Sequence, residues 1–222
     1  MPARAFITSK SEKTFLTVLD SATELFQTKG FHETSMRDVS RHSNLALGAL
    51  YYYCKSKEEL VLLFYERITD QIRASYSRRE SKAKTLPDAF CEFMRLKMSK
   101  LTKYRKLLSV ILKESFDPDS NVSPLSSASA STRDSSIALF QKMIIKFDST
   151  AEDAQESALI LWLLHMLILA FWLYDRSPKF DNTEKLLVSV STVLSLSATF
   201  ARMPGIQPLS QQLRSSILGI LR

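Results

Sequence analysis

Between Thr34 and Lys57 the chain gathers Ser35, Arg37, Tyr51, Tyr52 and Lys57. Arg37 carries a planar fork of N–H donors that fits two adjacent acceptors, such as guanine O6 and N7. Hydroxyls of the Ser35, Tyr51 and Tyr52 type and an ammonium such as that of Lys57 suit phosphate oxygens, contacts that position a protein on a duplex without reading its sequence. Ala46, Leu47 and Ala49 add small apolar surfaces of the kind that pack on thymine methyl groups. Together these groups recognise a polyanion.

Groups for bond-making chemistry do not assemble in the same way. The three histidines, His32, His42 and His165, are scattered, and no His-Glu-x-x-His or Gly-x-Ser-x-Gly motif is present. Four glycines in 222 residues leave no Gly-x-Gly-x-x-Gly turn to cradle a dinucleotide. Cys54 and Cys91 make neither a disulfide framework nor a four-ligand zinc site. These features predict a protein without metal or cofactor, in a reducing, cytoplasmic compartment. The start, MPARAFITSK, has no apolar run of an export signal. An all-α enzyme or ligand carrier is the rival reading, which turnover of a substrate would favour.

Composition agrees with a folded, mildly basic protein. Hydrophobic residues make up 45% and charged residues 24%, enough for a sizeable core, and the formal net charge is +7. Within residues 1–57, eight Lys and Arg face five acids, only a modest excess. The densest basic run, Arg95, Lys97, Lys100, Lys103, Arg105, Lys106 and Lys113, contains no acid and reads as a solvated helix face.

Apolar residues recur at helical spacing almost throughout, which predicts an all-α fold. Phe15, Val18, Leu19, Ala22, Leu25 and Phe26 form one stripe, ended at Lys29-Gly30 where glycine admits a left-handed backbone. Ser35-Met-Arg-Asp38 is a capping box opening a short helix to about Arg41. A turn at Ser43-Asn44 leads to a second short helix over about 46–53, and Ser56-Lys-Glu-Glu59 caps a long helix to about residue 80. Further helical stripes run through Phe90, Phe93, Met94 and Met98, then Leu107–Leu112, then Ile137, Phe140, Met143 and Phe147. Residues 118–136, serine-rich with two prolines, read as a solvated linker. The uncharged run 157–174 is nearly long enough to span a bilayer, but His165 lies at its middle and no basic cluster flanks it, so a helix buried against its own domain and a partner is expected instead. A helix over 183–201 and a last amphipathic one carrying Leu209, Leu213, Ile217 and Leu221 complete the reading.

Two short helices joined by a tight turn, directly before a long helix, make a helix-turn-helix. In this region the chain resembles the TetR family of bacterial transcriptional regulators. The resemblance is carried by Leu25-Phe26, Gly30-Phe31, Thr34-Ser35, Arg37, Val39, Gly48-Ala49-Leu50-Tyr51, Lys55-Ser56-Lys57 and Glu58-Glu59-Leu60. Asn44 stands where the family commonly has glycine, Ala46 and Leu47 replace polar residues at the opening of the recognition helix, and Tyr53-Cys54 replace phenylalanine and proline.

The resemblance implies an N-terminal three-helix DNA-binding domain over 1–57, followed by a helical effector-binding and dimerisation domain over 58–222. It implies a homodimer on a double-stranded operator, joined through about 157–174 and 183–201, and a repressor released by a small, largely apolar effector. DNA contacts are then expected from Ser35, Arg37, Ala46, Leu47, Ala49, Tyr51, Tyr52 and Lys57. Tyr53 is assigned to packing. Effector contacts are expected from Phe90, Met94, Met98, Phe140, Met143, Trp162, His165 and Met166, because flexible Met and flat aromatic side chains suit an apolar guest.

Overall fold

The computed structural model describes residues 9–117, 119–148 and 154–201, the side chains of 197–201 excepted. The expected helix near Leu209–Leu221 lies outside the described residues. Among them there is no strand, and the helices are α1 (Ser9–Thr28), α2 (Met36–His42), α3 (Leu47–Tyr53), α4 (Lys57–Ser77), α5 (Leu86–Leu101), α6 (Arg105–Glu114), α7 (Ala130–Phe147), α8 (Ala154–Tyr174) and α9 (Asp181–Ala201). They divide into two compact units. Among the described residues, one comprises those up to Ser75 with those of Lys100–Ser135, the other Tyr76–Ser99 and those from Ser136 onward. Helix α4 continues unbroken past the helix-turn-helix, and its buried face, Leu60, Val61, Phe64 and Ile68, belongs to the first unit.

In the first unit α1 packs on α2 and α6, and α2 on α3. Phe15, Val18, Leu19, Ala22 and Phe26 supply the buried stripe of α1, and Phe31, Val39 and Leu50 close over it from the following segments. Each buried aliphatic side chain contributes about 1.5–3 kcal/mol, so a patch of this kind holds short helices that would not persist alone. Gly30 ends α1 with φ of 104°, a left-handed conformation that a side chain would strain.

The serine-rich connection is folded on itself. Ser126 Oγ donates to the Asn121 carbonyl at 2.8 Å, Ser129 Oγ to the Ser123 carbonyl at 2.7 Å, and Arg133 Nη1 to the Pro124 carbonyl at 3.0 Å. Helix α7 accordingly begins at Ala130, inside the stretch expected to be a solvated linker. Local hydroxyl-to-backbone bonds, which compete with helix in a free chain, here build the turns that start one.

In the second unit α8 packs on α9. Helix α8 is long and apolar enough to cross a membrane, yet Ala158, Leu161, Trp162, His165, Ile168, Leu169 and Trp172 are buried within the protein. The turn between α8 and α9 is built around the buried Asp175. Its Oδ1 accepts from Ser177 N and Oγ at 2.8 and 2.6 Å, and its Oδ2 from Thr183 N and Oγ1 at 2.9 and 2.6 Å. These donors, with the Ser177 and Thr183 hydroxyls foremost, hold the carboxyl well below the usual range.

Candidate nucleic-acid interface

The motif that positions Arg37 is a complete capping box. Ser35 Oγ accepts from the Asp38 N–H at 3.2 Å, while Asp38 Oδ2 accepts from Ser35 N at 2.8 Å and Ser35 Oγ at 2.6 Å. The same carboxylate binds Lys29 Nζ at 2.8 Å through Oδ2 and Arg41 Nη2 at 2.8 Å through Oδ1. The Lys29 ammonium, then Ser35, drives the Asp38 carboxyl far below its ordinary value. Asp38 thus engages two of the three cations around α2. Arg37 is exposed, and among the described residues no acid pairs with it.

The turn into α3 is tied by Leu45 N to Ser40 O at 3.0 Å, Ser40 Oγ to Leu45 O at 2.6 Å and Ser43 Oγ to Val39 O at 2.7 Å. Asn44 adopts φ of 53°, the left-handed geometry such a turn requires and asparagine tolerates. Helix α3 starts at Leu47 with Ala46 as its cap and no side-chain cap bond, which leaves its first N–H groups open. Leu50 is fully buried and anchors the helix, while Ala46 is exposed and Leu47 and Ala49 are half-buried. Tyr51 and Tyr52 are 47% and 75% exposed. Large aromatic groups this open on a short helix leave their hydroxyls accessible to a partner. Tyr53 instead turns inward, its ring 6.3 Å from that of Phe15 and its hydroxyl 3.3 Å from Ser11 Oγ.

Two of the expected contact residues are engaged within the protein. The Ser35 hydroxyl is taken up by the cap. Lys57 Nζ donates to the carbonyls of Phe31 at 2.9 Å and His32 at 3.2 Å, and lies 4.7 Å from the centre of the Phe31 ring. Its ammonium ties α4 to the loop between α1 and α2 instead of standing free for a phosphate. Lys55, outside the expected set, is exposed between α3 and α4, with its main-chain N–H held by Glu59 Oε2 at 2.6 Å. A single lysine between helices carries no signal beyond its charge, so spacing alone could not single it out.

In the second unit the expected effector residues Phe90, Met94, Met98, Phe140, Met143, Trp162 and His165 are buried, and Met166 is half-buried. Phe140 joins them, its ring 5.7 Å from Phe90, 5.6 Å from Phe93 and 5.6 Å from the His165 imidazole. Here the structure corrects the basic run read as a solvated face. Lys97 is 2% exposed, with Nζ 2.8 Å from His165 Nε2, and His165 is 1% exposed. Burial lowers the Lys97 amine to about 7. Burial first, then the Lys97 charge, holds His165 well below its usual value, while the Trp162 carbonyl opposes this in part. The imidazole is therefore neutral, with Nε2 accepting from Lys97 and the proton on Nδ1. That Nδ1 is buried beside the Trp162 carbonyl. Lys97 falls three and four residues after Met94 and Phe93 and four before Leu101, so its place on the buried stripe was readable from spacing. The charge of the surrounding run hid it. A separate cleft of about 510 Å³ opens between α5 and α9, but its Arg79 and Arg95 are paired with Glu92 and Glu184, and none of the expected effector residues lines it.

A capped α2, a left-handed turn and an exposed α3 define a helix-turn-helix protein with a second, helical unit. Residues 18–63 match the family of bacterial regulatory proteins called the tetR family, and residues 90–201 match the tetracyclin repressor-like C-terminal domain. The chain belongs to the TetR family. It is 24% identical over 97 residues to the uncharacterized HTH-type transcriptional regulator YuxN of Bacillus subtilis, a match spanning 44% of this chain and 33% of YuxN. The chain thus aligns with only about a third of that relative's length. Among solved structures, a TetR-family transcriptional regulator from Syntrophomonas wolfei superposes with a TM-score of 0.65 at 20% identity, covering 83% of this chain and 96% of the other. Thermus thermophilus FadR, a TetR-family repressor solved with lauroyl-CoA, superposes with a TM-score of 0.60 at 16% identity, covering 78% and 93%.

Proposed function

We propose that the protein is a DNA-binding transcriptional regulator acting in the cytoplasm as a homodimer, and that it represses until a small, largely apolar effector enters the second unit. The observation that carries the DNA reading is the division of labour around α2: Asp38 engages Lys29 and Arg41, while Arg37 stays exposed and, among the described residues, without an ion pair. Arg37 reads a guanine edge, Ala46, Leu47 and Ala49 meet thymine methyls, and the hydroxyls of Tyr51 and Tyr52 with the Lys55 ammonium hold phosphates. Ser35 and Lys57 position these groups from within. One such motif has little contact area, so two copies must act on half-sites about one helical turn apart, or a multiple of it.

Self-association is supported by apolar residues on the outside of the second unit. Leu167, Phe171 and Tyr174 on α8 recur at helical spacing and are exposed, as are Val188, Val193 and Leu196 on α9. A patch of this kind on a folded protein marks a binding surface. The lauroyl-CoA held by the Thermus relative supports acyl-chain compounds as effectors here. An effector acts only if it binds the DNA-free state better than the DNA-bound one.

Footprinting on the DNA flanking the protein's own gene, followed by binding to every single-base variant of the protected site, tests the reading. Arg37→Ala is expected to cost about 1–3 kcal/mol at one base position per half-site and to relax preference there, with random DNA bound as before. A variant that discriminates like the parent at all positions removes Arg37 from base reading.

A further inference from the structure

We propose that the first two turns of α1 are a further nucleic-acid contact of the first unit, with Lys10 and Lys13 holding backbone phosphates at the flank of each half-site. The inference rests on the DNA-binding reading and adds a third helix, α1, to the surface that grips the duplex.

The start of α1 is pinned beside the end of α3. Ser11 Oγ lies 3.3 Å from the Tyr53 hydroxyl, and the ring of Phe15, one turn further along the same face, packs 6.3 Å from the Tyr53 ring. Tyr53 in turn meets Tyr52 edge to face at 5.4 Å, and Tyr52 is the outward-facing tyrosine of α3. Lys10 adjoins Ser11 in the chain, so its long side chain starts next to the end of the helix that enters the groove. Lys10 and Lys13 are both exposed, and three residues apart they share one flank of α1.

Charge accounting separates these two lysines from the other cations of the unit. Asp38 holds Lys29 and Arg41, Asp20 accepts from Arg67 at 2.7 Å, and Glu24 faces His42 at 3.8 Å. Among the described residues no acid pairs with Lys10 or Lys13. Glu12 stands between them in sequence, but at about 100° per residue it points about 160° away from Lys10 around the axis. The Lys10 and Lys13 carbonyls accept from the Thr14 and Thr17 hydroxyls at 2.9 and 3.0 Å, bonds internal to the helix that leave the ammonium groups in solvent. A phosphate backbone asks for positive charge within reach and for no particular edge, and this flank supplies that. The contact therefore adds affinity and salt dependence without adding sequence preference.

The experiment compares the full chain with Lys10→Gln/Lys13→Gln on the duplex protected in the footprint and on a random duplex of equal length. Lys142→Gln/Lys146→Gln, which removes the same charge from exposed positions of α7 in the second unit, is the control. At about 0.9 per phosphate, the α1 variant is expected to flatten the slope of log K against log salt by about two for each copy of the motif on the duplex. Its discrimination among single-base variants is expected to match the parent's, and the α7 control to keep the parent's slope. Phosphate ethylation on the protected duplex gives a second readout. Ethylated phosphates at the outer flank of each half-site are expected to weaken the parent and to have no effect on the α1 variant. A parental slope in the α1 variant, an equal flattening in the α7 control, or an interference pattern shared by parent and α1 variant overturns the proposal. If the parent prefers the protected duplex while any of these holds, the α1 contact alone has failed. If the parent binds random duplex as tightly, the regulator reading has failed.

Discussion

Lys57, at the start of α4, reaches back 26 residues to donate to the Phe31 carbonyl at 2.9 Å, with its ammonium 4.7 Å above the centre of that residue's ring. Hydrogen bonds from charged donors and cation–π contacts are each stronger than their neutral counterparts, so this one side chain sets where α4 begins relative to the end of α1. By contrast Lys55, two residues earlier, is exposed.

The two lysines therefore separate in a salt titration. Each phosphate contact contributes about 0.9 to the slope of log K against log salt on B-DNA. Lys55→Gln is expected to flatten the slope by about one for each copy of the motif on the duplex, with stability unchanged. Lys57→Met is expected to lower the melting temperature by a few degrees and to leave the slope as it was. A flattened slope in Lys57→Met would show that the lysine leaves Phe31 for a phosphate when DNA arrives.

Leu167→Glu on α8 and Val193→Glu on α9 each place a charge on the exposed apolar surface of the second unit. For the proposed homodimer, sedimentation should show a dimer in the parent and a monomer in either variant. Operator affinity should fall by about 10²-fold or more, because the gain from holding two half-sites at once is lost. A dimer that persists in both variants would place the subunit contact elsewhere.

Asp175→Ala removes the acceptor of four hydrogen bonds at the α8–α9 turn. The carboxyl's value in the folded chain lies below the ordinary 3.8, so the stability it contributes is fully present above that pH and lost as pH falls through the folded value. Thermal melts at pH 7 should place the variant several degrees below the parent. The gap should close progressively below about pH 4.

Lys97→Met is expected to raise the melting temperature, because a methionine of similar length fills the site without a desolvated charge. Between about pH 7, where the folded amine titrates, and its ordinary 10.5, the unfolded chain holds a proton that the folded chain does not. The parent therefore gains stability relative to the variant across that range, and the variant's advantage should shrink as pH rises. A variant less stable than the parent at pH 7 would mean that the amine's own contacts outweigh its desolvation.

How legible the molecule was differs between its two ends. The helix-turn-helix is a local object: the Ser35–Asp38 box and the turn at Ser43-Asn44 are each set by residues within a few positions of one another, and both stand where spacing places them. The second unit depends on residues far apart in the chain. Lys97 meets His165 across 68 positions, and composition alone made Lys97 one member of a basic run. The serine-rich stretch misled for a related reason, since hydroxyls that suit a solvated linker serve equally well when their acceptors fold back beside them.

Residue order was sufficient for the helical class and for the capped and turned motif of α2 and α3, because helix periodicity, capping and turn geometry act over one or two turns. Tertiary structure decided which charges are free. Lys57 was drawn onto the Phe31 carbonyl, Arg37 stayed outside, and Lys97 was buried against an imidazole. Those outcomes depend on which carbonyls, carboxylates and rings arrive from distant segments, and on how much water their arrival removes.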